Sequence, residues 1–367
     1  MTRMAGIKLS RCFAKVAARV LLFFIFGFTA MEIYKCNQHV IIQRLSSITA
    51  HKANVRTRSS KPEPSYTSAW VKRQPAQFLI EPWNFRSSCD QHECKPAEFE
   101  SEKSTTANVV LFIKSRSNSF YRRQILRQSW ASVSRVGNVN VSVVFVVGSL
   151  GVNHTRNKVW LLQENATYGD VLQYKGSDDY RNIALKTLAG MEWASLHLPS
   201  TFLYSSMDDD FMVDIFKLHS AVNQAFELKI ENKWPEFPII CMFIMATDER
   251  PYRDENGIFK KWFISESLFK WPVFPRYCHG GMYTTSMRII DQLLRESWSV
   301  DSLYLDDVWI TGILRQKIGM PDQMVMTLGE GIGMHKNKVI NDTANFMMEW
   351  KTIKSSDSTL LCTCNMH

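Results

Sequence analysis

The sequence has no uninterrupted apolar run of the roughly 20 residues that cross a bilayer as a helix. Its longest, VLLFFIFGFTAM (Val20–Met31), stops at 12 residues, a length that fits a signal-peptide core at least as well as a span. No clean small-x-small cleavage site follows it. That absence favours a retained anchor, and Arg19 can snorkel so that the span extends to Ile33 or Tyr34. Positive charge is also scarce where a nucleic-acid surface would need it. The net charge is +9, but residues 1–34 contribute +4 (five Lys or Arg against Glu32) and residues 35–75 contribute +7 (eight against Glu63), leaving about −2 for residues 76–367. This excludes a phosphate-tracking surface and, with it, nucleic acid as a partner. There is no internal repeat, and the C-terminal CTC (Cys362, Cys364) lacks the second ligand pair that a zinc site requires.

What is present divides the chain into four. Residues 1–19 form a basic cytoplasmic tail, residues 20–34 a signal-anchor segment, and the basic head orients the chain as a single-pass type II membrane protein. Residues 35–104 are polar, contain Ser, Thr and Pro, and show no sustained periodicity (RTRSSKPEPSYTSAW, ESEKSTTAN), so they read as a lumenal stem. Residues 105–367 form the lumenal domain; at 45% hydrophobic and 12% aromatic the chain can bury a substantial core. Sequons at Asn140, Asn153, Asn165 and Asn341 all lie beyond the anchor, where glycosylation can reach them. The cysteines are Cys12 in the tail, then Cys36, Cys89, Cys94, Cys241, Cys278, Cys362 and Cys364. An oxidising lumen permits disulfides among them, and the odd number leaves one over. Cys36, just outside the membrane, is expected to bond a second chain into a disulfide-linked dimer or to stay a free thiol.

Regular structure is expected from about Asn108. NVVLFIKS reads as a buried strand, YRRQILRQSW as a helix with Ile125 and Leu126 inward, and VNVSVVFVVG as a second strand ending at Gly148. RNIALKTLAGMEWASLHL reads as an amphipathic helix with Ile183, Leu185, Leu188, Met191 and Trp193 on its apolar side, followed by the strand TFLYSSM. Apolar runs alternating with helices imply an α/β fold with a mostly parallel central sheet. Ligands in such folds bind at the carboxyl ends of strands, which is where Asp208, Asp209 and Asp210 fall.

Three adjacent carboxylates oppose one another's ionisation unless a cation neutralises them. Mn²⁺ or Mg²⁺ takes oxygen ligands from one or two carboxylates and completes its shell with water and substrate phosphates, so the cluster points to a metal–diphosphate site. The alternative is a solvated acidic turn or a helix N-terminus. A second acidic pair, Asp306 and Asp307, opens the apparent helix of SLYLDDVWITGILRQKIG. Acids are favoured there by the free N–H groups of a helix start, and a carboxylate in a partly buried pocket also suits a general base.

In order, YRRQILRQSW, ENATYGDVLQYKGSDDYRNIALKT with Trp193, the three aspartates, KWFIS (Lys261–Ser265), FPRYCHGGMYTTS and LDDVWITGILRQKIG resemble the β-1,3-glycosyltransferases of family 31, the galactosyl- and N-acetylglucosaminyltransferases, over roughly residues 108–320. The resemblance implies a GT-A-type nucleotide-binding fold, a UDP-sugar donor, a glycan acceptor on glycoprotein or glycolipid, and residence in the Golgi membrane. It implies that Arg122, Arg127 and Trp130 match the R-x4-R-x2-W helix, and that Asp170, Tyr180, Asn182, Lys186 and Thr187 surround the nucleotide pocket. Asp208 and Asp209 would face the sugar nucleotide, with Gly280 and Gly281 beside it. Asp208 and Asp210, joined by His335 from GIGMHKNK, would hold the metal, Asp210 as the most direct ligand. Asp307 falls at the position of the catalytic base.

Three departures accompany the match. Ser206 stands where a lysine is common two residues before the aspartates, Asp306 replaces a glutamate, and Met282 replaces a loop glycine, a position where glycine would allow positive φ or close backbone approach. The function implied is inverting, metal-dependent transfer of a hexose or N-acetylhexosamine, galactose favoured, forming a β-1,3 linkage. A non-catalytic Golgi relative that partners an active enzyme is the second reading, kept by Ser206 and Met282.

Overall fold

The computed structural model describes residues 75–83, 106–149, 155–245, 248–327, 331–336, 342–357 and 361–363, all within one compact unit, Trp70–His367. The expected anchor, the sequons at Asn153 and Asn341, and Cys12, Cys36, Cys89, Cys94 and Cys364 lie outside the described residues. No helix among the described residues is long and apolar enough to cross a membrane.

Described structure begins inside the segment expected to be stem. There β1 (Phe78–Ile80) supplies a short apolar strand. The run ANVVLFIK forms β2 (Ala107–Lys114), buried on both faces as a central parallel strand must be. Helix α1 (Phe120–Arg127), β3 (Val133–Val136) and the long β4 (Val139–Ser149) follow. Next come α2 (Thr155–Tyr168), β5 (Val171–Ser177) and α3 (Ile183–His197). β6 (Leu203–Asp208) ends at the first of the three aspartates, and the turn leads into β7 (Phe211–Val213). Asp214 caps α4 (Ile215–Glu231) by accepting from the Phe216 and Lys217 N–H groups. After β8 (Ile239–Cys241) comes a long irregular stretch, then β9 (Met282–Ser286), whose Ser286 caps α5 (Met287–Glu296). A π-helix, Val308–Leu314, runs on into α6 (Arg315–Lys317). The chain closes with β10 (Val325–Thr327), β11 (Gly333–His335), α7 (Thr343–Ser356) and β12 (Leu361–Thr363).

The main sheet runs β1-β5-β4-β2-β6-β9-β8-β10, with β3 pairing both β4 and β12. The expectation of a mostly parallel sheet holds for its centre, where β5, β4, β2 and β6 are parallel neighbours. It fails beyond β6, because β9 runs antiparallel to both β6 and β8, and β1 is antiparallel to β5. The sheet is therefore mixed. Nothing local in MYTTS specifies a direction, so only its partners decide its sense.

Each face of the sheet carries its own core. On one side Val110, Phe112, Val144 and Val146 pack with Leu188, Met191 and Trp193 of α3, Ile290 and Leu293 of α5, and Trp309 of the π-helix. On the other, Val109, Leu111, Ile113 and Phe145 pack with Ile125 and Leu126 of α1, Val222 of α4 and Trp350 of α7. Leu185, expected inward on α3, is 40% exposed; the helix instead buries Ala184 beside Lys186 and Thr187, and the last two are polar residues that the site below uses.

Two of the four sequons are visible, and neither presents a free amide. Asn165 is only 8% exposed. Its Nδ2 donates to the Glu81 carbonyl at 3.0 Å, and its Oδ1 accepts from the Val171 N–H at 3.0 Å, so it binds the β1 segment to the domain. Asn140 Nδ2 donates to Asn108 Oδ1 at 3.0 Å across the β2–β4 pair.

Candidate functional site

Strand register builds the site. In the β2–β6 pair Lys114 stands opposite Asp208, so the last residue of one buried strand faces the first of the three aspartates. Lys114 Nζ lies 3.1 Å from Asp208 Oδ1 and 2.7 Å from Asp306 Oδ2, and Lys114 is 7% exposed. Burial pulls the ammonium pKa down, but Asp208 and Asp306 outweigh it and hold the group protonated. Thr187 Oγ1 donates to the same Asp306 oxygen at 2.6 Å. A buried ion pair of this kind adds little net stability while complete, yet losing one partner costs about 3–5 kcal/mol.

The three aspartates point three ways. Asp209 turns inward, accepting from Ser115 Oγ at 2.6 Å and from Arg122 Nη1 at 2.8 Å. Asp210 is met by His335, because β11 pairs with β7 so that His335 faces Phe211; His335 Nε2 lies 3.2 Å from Asp210 Oδ2. The other Asp210 oxygen, Oδ1, is buried without a hydrogen-bond partner. The Asp208 carboxyl is pushed up to about 6 by burial, which Lys114 opposes and Asp306 and Asp210 reinforce.

Asp307 caps the π-helix, its Oδ1 accepting from the Val308 N–H at 2.8 Å. π-turns inside helices recur at functional sites. The Asp307 carbonyl accepts from Thr311 Oγ1 at 2.6 Å, and that hydroxyl accepts from the Cys278 N–H at 2.9 Å. Cys278 is joined by a disulfide to Cys241 at the end of β8, which fixes the loop carrying Gly280 and Gly281. A Cβ on Gly280 would sit 3.1 Å from Asp307 Oδ2, and one on Gly281 would meet Met242 Cε at 2.3 Å and Phe211 Cζ at 2.6 Å. Both positions need glycine for close approach. Met282 does not: it opens β9 without positive φ and is buried in the core, which removes the ground for doubting the loop. Burial first, and the Asp306 carboxylate second, push the Asp307 carboxyl up to about 7.

Two clefts meet here. One, of about 420 Å³, is lined by Lys114, Arg122, Asp178 and Lys186. The other, of about 640 Å³, is lined by Asp307, His335, Gly280, Gly281, Glu249 and Trp262. Tyr180, Ile183, Asp208, Asp210 and Lys261 belong to both walls.

Most residues expected from the sequence converge here, but several do not. Arg127 and Asp170, expected at the nucleotide pocket, are sealed together instead. Arg127 forks onto Asp170 at 2.8 and 2.7 Å, reaches Glu164 at 2.8 Å and stacks on Tyr168, and neither residue lines the clefts. Asn182 stands at the start of α3 and also lines neither cleft. Trp130 is buried and supports β7 by donating to the Phe211 carbonyl at 3.1 Å. Lys186 does reach the smaller cleft, bonded to Asp178 and to the Ser115 carbonyl at 2.7 Å. Sequence reasoning missed Lys114, Asp178 and any role for Lys261. A lysine ending an apolar strand was the available signal for Lys114. Among the described residues no group of three His, Cys, Asp or Glu side chains is placed to hold a metal by itself.

The fold and this site belong to a known class: residues 121–325 match the galactosyltransferase family, and the chain belongs to it. Among curated proteins it is 26% identical to human lactosylceramide 1,3-N-acetyl-beta-D-glucosaminyltransferase over 61% of this chain and 58% of that one. It is 27% identical to beta-1,3-galactosyltransferase 5 of Pan paniscus over 57% of this chain and 64% of that one. The chain thus matches about three fifths of the length of these relatives. Among solved structures, the apo form of mouse xyloside xylosyltransferase 1 overlaps at 12% identity with a TM-score of 0.27, covering 61% of this chain and 85% of that one, too distant to carry an argument.

Proposed function

We propose that this protein is an inverting, metal-dependent glycosyltransferase on a GT-A-type fold. It transfers a hexose or N-acetylhexosamine, galactose favoured, from a UDP-sugar to a hydroxyl of a protein- or lipid-borne glycan, forming a β-1,3 linkage. The observation that carries this reading is the meeting of a cleft lined by paired cations and aspartates (Lys114, Arg122 and Lys186 with Asp178, Asp208 and Asp209) with a cleft holding Asp307, across a shared wall containing Asp208 and Asp210. A diphosphate suits the first cleft and an acceptor sugar the second. The family membership and the names of the relatives support the same chemistry.

The residues present fit a divalent ion. Asp210 offers a buried, unpartnered carboxylate oxygen, His335 stands beside its other oxygen, and oxygen-rich donors of this type suit Mn²⁺ or Mg²⁺. Asp210, His335 and Asp208 would hold it. When bound, such an ion supplies Lewis-acid neutralisation of charge on departing UDP. Arg122, Lys186 and Lys261 contribute positive potential on the donor side. The Val308 N–H fixes Asp307 Oδ1, leaving Oδ2 to take the proton from the acceptor hydroxyl while that oxygen attacks the anomeric carbon from the opposite face. Inversion of an α-linked donor gives the β product. The expected anchor and stem would hold this domain in the Golgi lumen.

The test is UDP release from a panel of UDP-sugars with galactoside, glucosaminide and mannoside acceptors, with Mn²⁺ or with chelator. Release from one donor that needs metal and disappears in Asp210→Ala supports the reading. Metal-independent release, or full activity in Asp307→Asn, overturns it.

A further inference from the structure

The three aspartates do not wait for a metal as bare charges. Asp208 is already held by Lys114 at 3.1 Å, and both Asp209 oxygens are taken, by Ser115 and by Arg122. Of Asp210, Oδ2 faces His335, which leaves one buried oxygen, Oδ1, without a partner. Two internal cations therefore discharge two of the three carboxylates before any ion arrives, and among the described residues Asp208, Asp210 and His335 are not placed to hold a metal by themselves. A divalent ion that needs six or so ligands gains little from Asp210, His335 and an Asp208 already paired with Lys114. The diphosphate of a sugar nucleotide would bring the missing oxygens.

We propose that Lys114 is a positioning residue that suppresses metal binding to the empty site, so that the divalent ion is taken up with the nucleotide diphosphate and not ahead of it. The proposal rests on the metal–diphosphate reading above. Lys114 is suited to the task because it cannot swing away: its ammonium is buried and pinned on its far side by Asp306, which is in turn held by Thr187. A fixed positive charge 3.1 Å from Asp208 repels a second cation at the same carboxylate and occupies one of its oxygens. Arg122 does the same for Asp209, but its side chain is 24% exposed at the cleft wall and can turn towards a phosphate. A consequence is that departing UDP weakens the hold on the ion, and the site resets after each turnover.

The measurement is Mn²⁺ binding to the full chain in detergent, read from the free-ion electron paramagnetic resonance signal, first without nucleotide and then with saturating UDP. Wild type should bind Mn²⁺ weakly alone and at least tenfold more tightly with UDP. The test variant is Lys114→Met combined with Asp306→Asn, which removes the ammonium together with the carboxylate it would orphan and so leaves no new unpaired charge on that side. It should bind Mn²⁺ alone at least tenfold more tightly than wild type, with a smaller gain from UDP. Asp306→Asn by itself, which leaves the ammonium on Asp208, and Lys114→Arg should both keep the wild-type affinity. If the double variant binds Mn²⁺ no better than wild type while UDP still tightens wild-type binding, Lys114 has no such role and the metal reading stands. If wild type takes up no Mn²⁺ even with UDP, the metal reading falls and the proposal with it.

Discussion

Asp307→Asn separates stability from turnover. Asn keeps the shape and the oxygen that accepts from the Val308 N–H but cannot ionise. In the folded chain the Asp307 carboxyl is raised from 3.8 to about 7. A raised acid binds its proton more tightly in the folded than in the unfolded state, so stability falls as pH climbs through the interval between the two values and the full cost is present above it. A gap of about 3 units corresponds to about 4 kcal/mol at most. The side chain is partly exposed, so solvent screening reduces this to about 1–2 kcal/mol. With chelator present, Asp307→Asn should therefore melt roughly 2–6 °C higher than wild type at pH 8, and the two should converge near pH 4. At the same time turnover should drop by about 10²–10⁴-fold, the usual worth of a general base. Melting curves at several pH values, paired with UDP-release rates, make the check. A variant that is less stable than wild type at pH 8 would refute the electrostatic argument, and one that turns over normally would refute the base.

Four further outcomes are expected. In wild type, kcat/KM for transfer should rise from acid pH with a midpoint near 7, the range set by Asp307, and a flat profile from pH 5 to 8 would count against that assignment. Gly281→Ala places a methyl 2.3 Å from Met242 Cε and should cost about 1–3 kcal/mol, read by urea unfolding. Arg127→Lys loses the fork onto Asp170 and should cost about 1–3 kcal/mol while leaving the UDP affinity of the folded protein unchanged; a weakened affinity would return Arg127 to the nucleotide site. Peptide mapping of glycoprotein from a secretory host should find Asn165 unmodified, and Thr167→Ala, which removes the sequon but keeps the clasp, should leave the melting temperature unaltered where Asn165→Gln lowers it.

Much of the sheet was legible because β2 and the later part of β4 are apolar on both faces, and a strand buried on both sides reads as an unbroken run. The three aspartates were legible as a strand-end cluster. His335 was a lone histidine, and only the pairing of β11 with β7 carries it to Asp210 across 125 positions of sequence. Lys114 escaped for a related reason: its meaning lies in register with Asp208 and in the approach of Asp306 from a distant helix, and neither contact is local. Arg127 and Asp170 misled because a charged residue in a motif looks the same whether it meets a ligand or another buried charge; burial between β5 and α1 decides, and one sequence does not display it. Leu185 misled because α3 spends inward positions on Lys186 and Thr187 to serve the cleft, against its hydrophobic period.

The short β1 has a consequence for where this protein can be cut. Its backbone and flanks are fastened by the Lys175 N–H to the Gln77 carbonyl at 2.8 Å, by the Trp83 N–H to the Gly169 carbonyl at 2.9 Å and by Trp83 Nε1 to the Asn165 carbonyl at 2.7 Å. Without it, β5 becomes the last strand of the sheet, with a row of unpaired N–H and C=O groups open to any extended chain that passes. A domain trimmed at residue 105, where composition alone would place its start, keeps the residues around both clefts and loses the guard on that border. Such a fragment would tend to recruit a stray strand from its neighbours and leave solution as aggregate, whereas one that begins before Ala76 brings its own stopper.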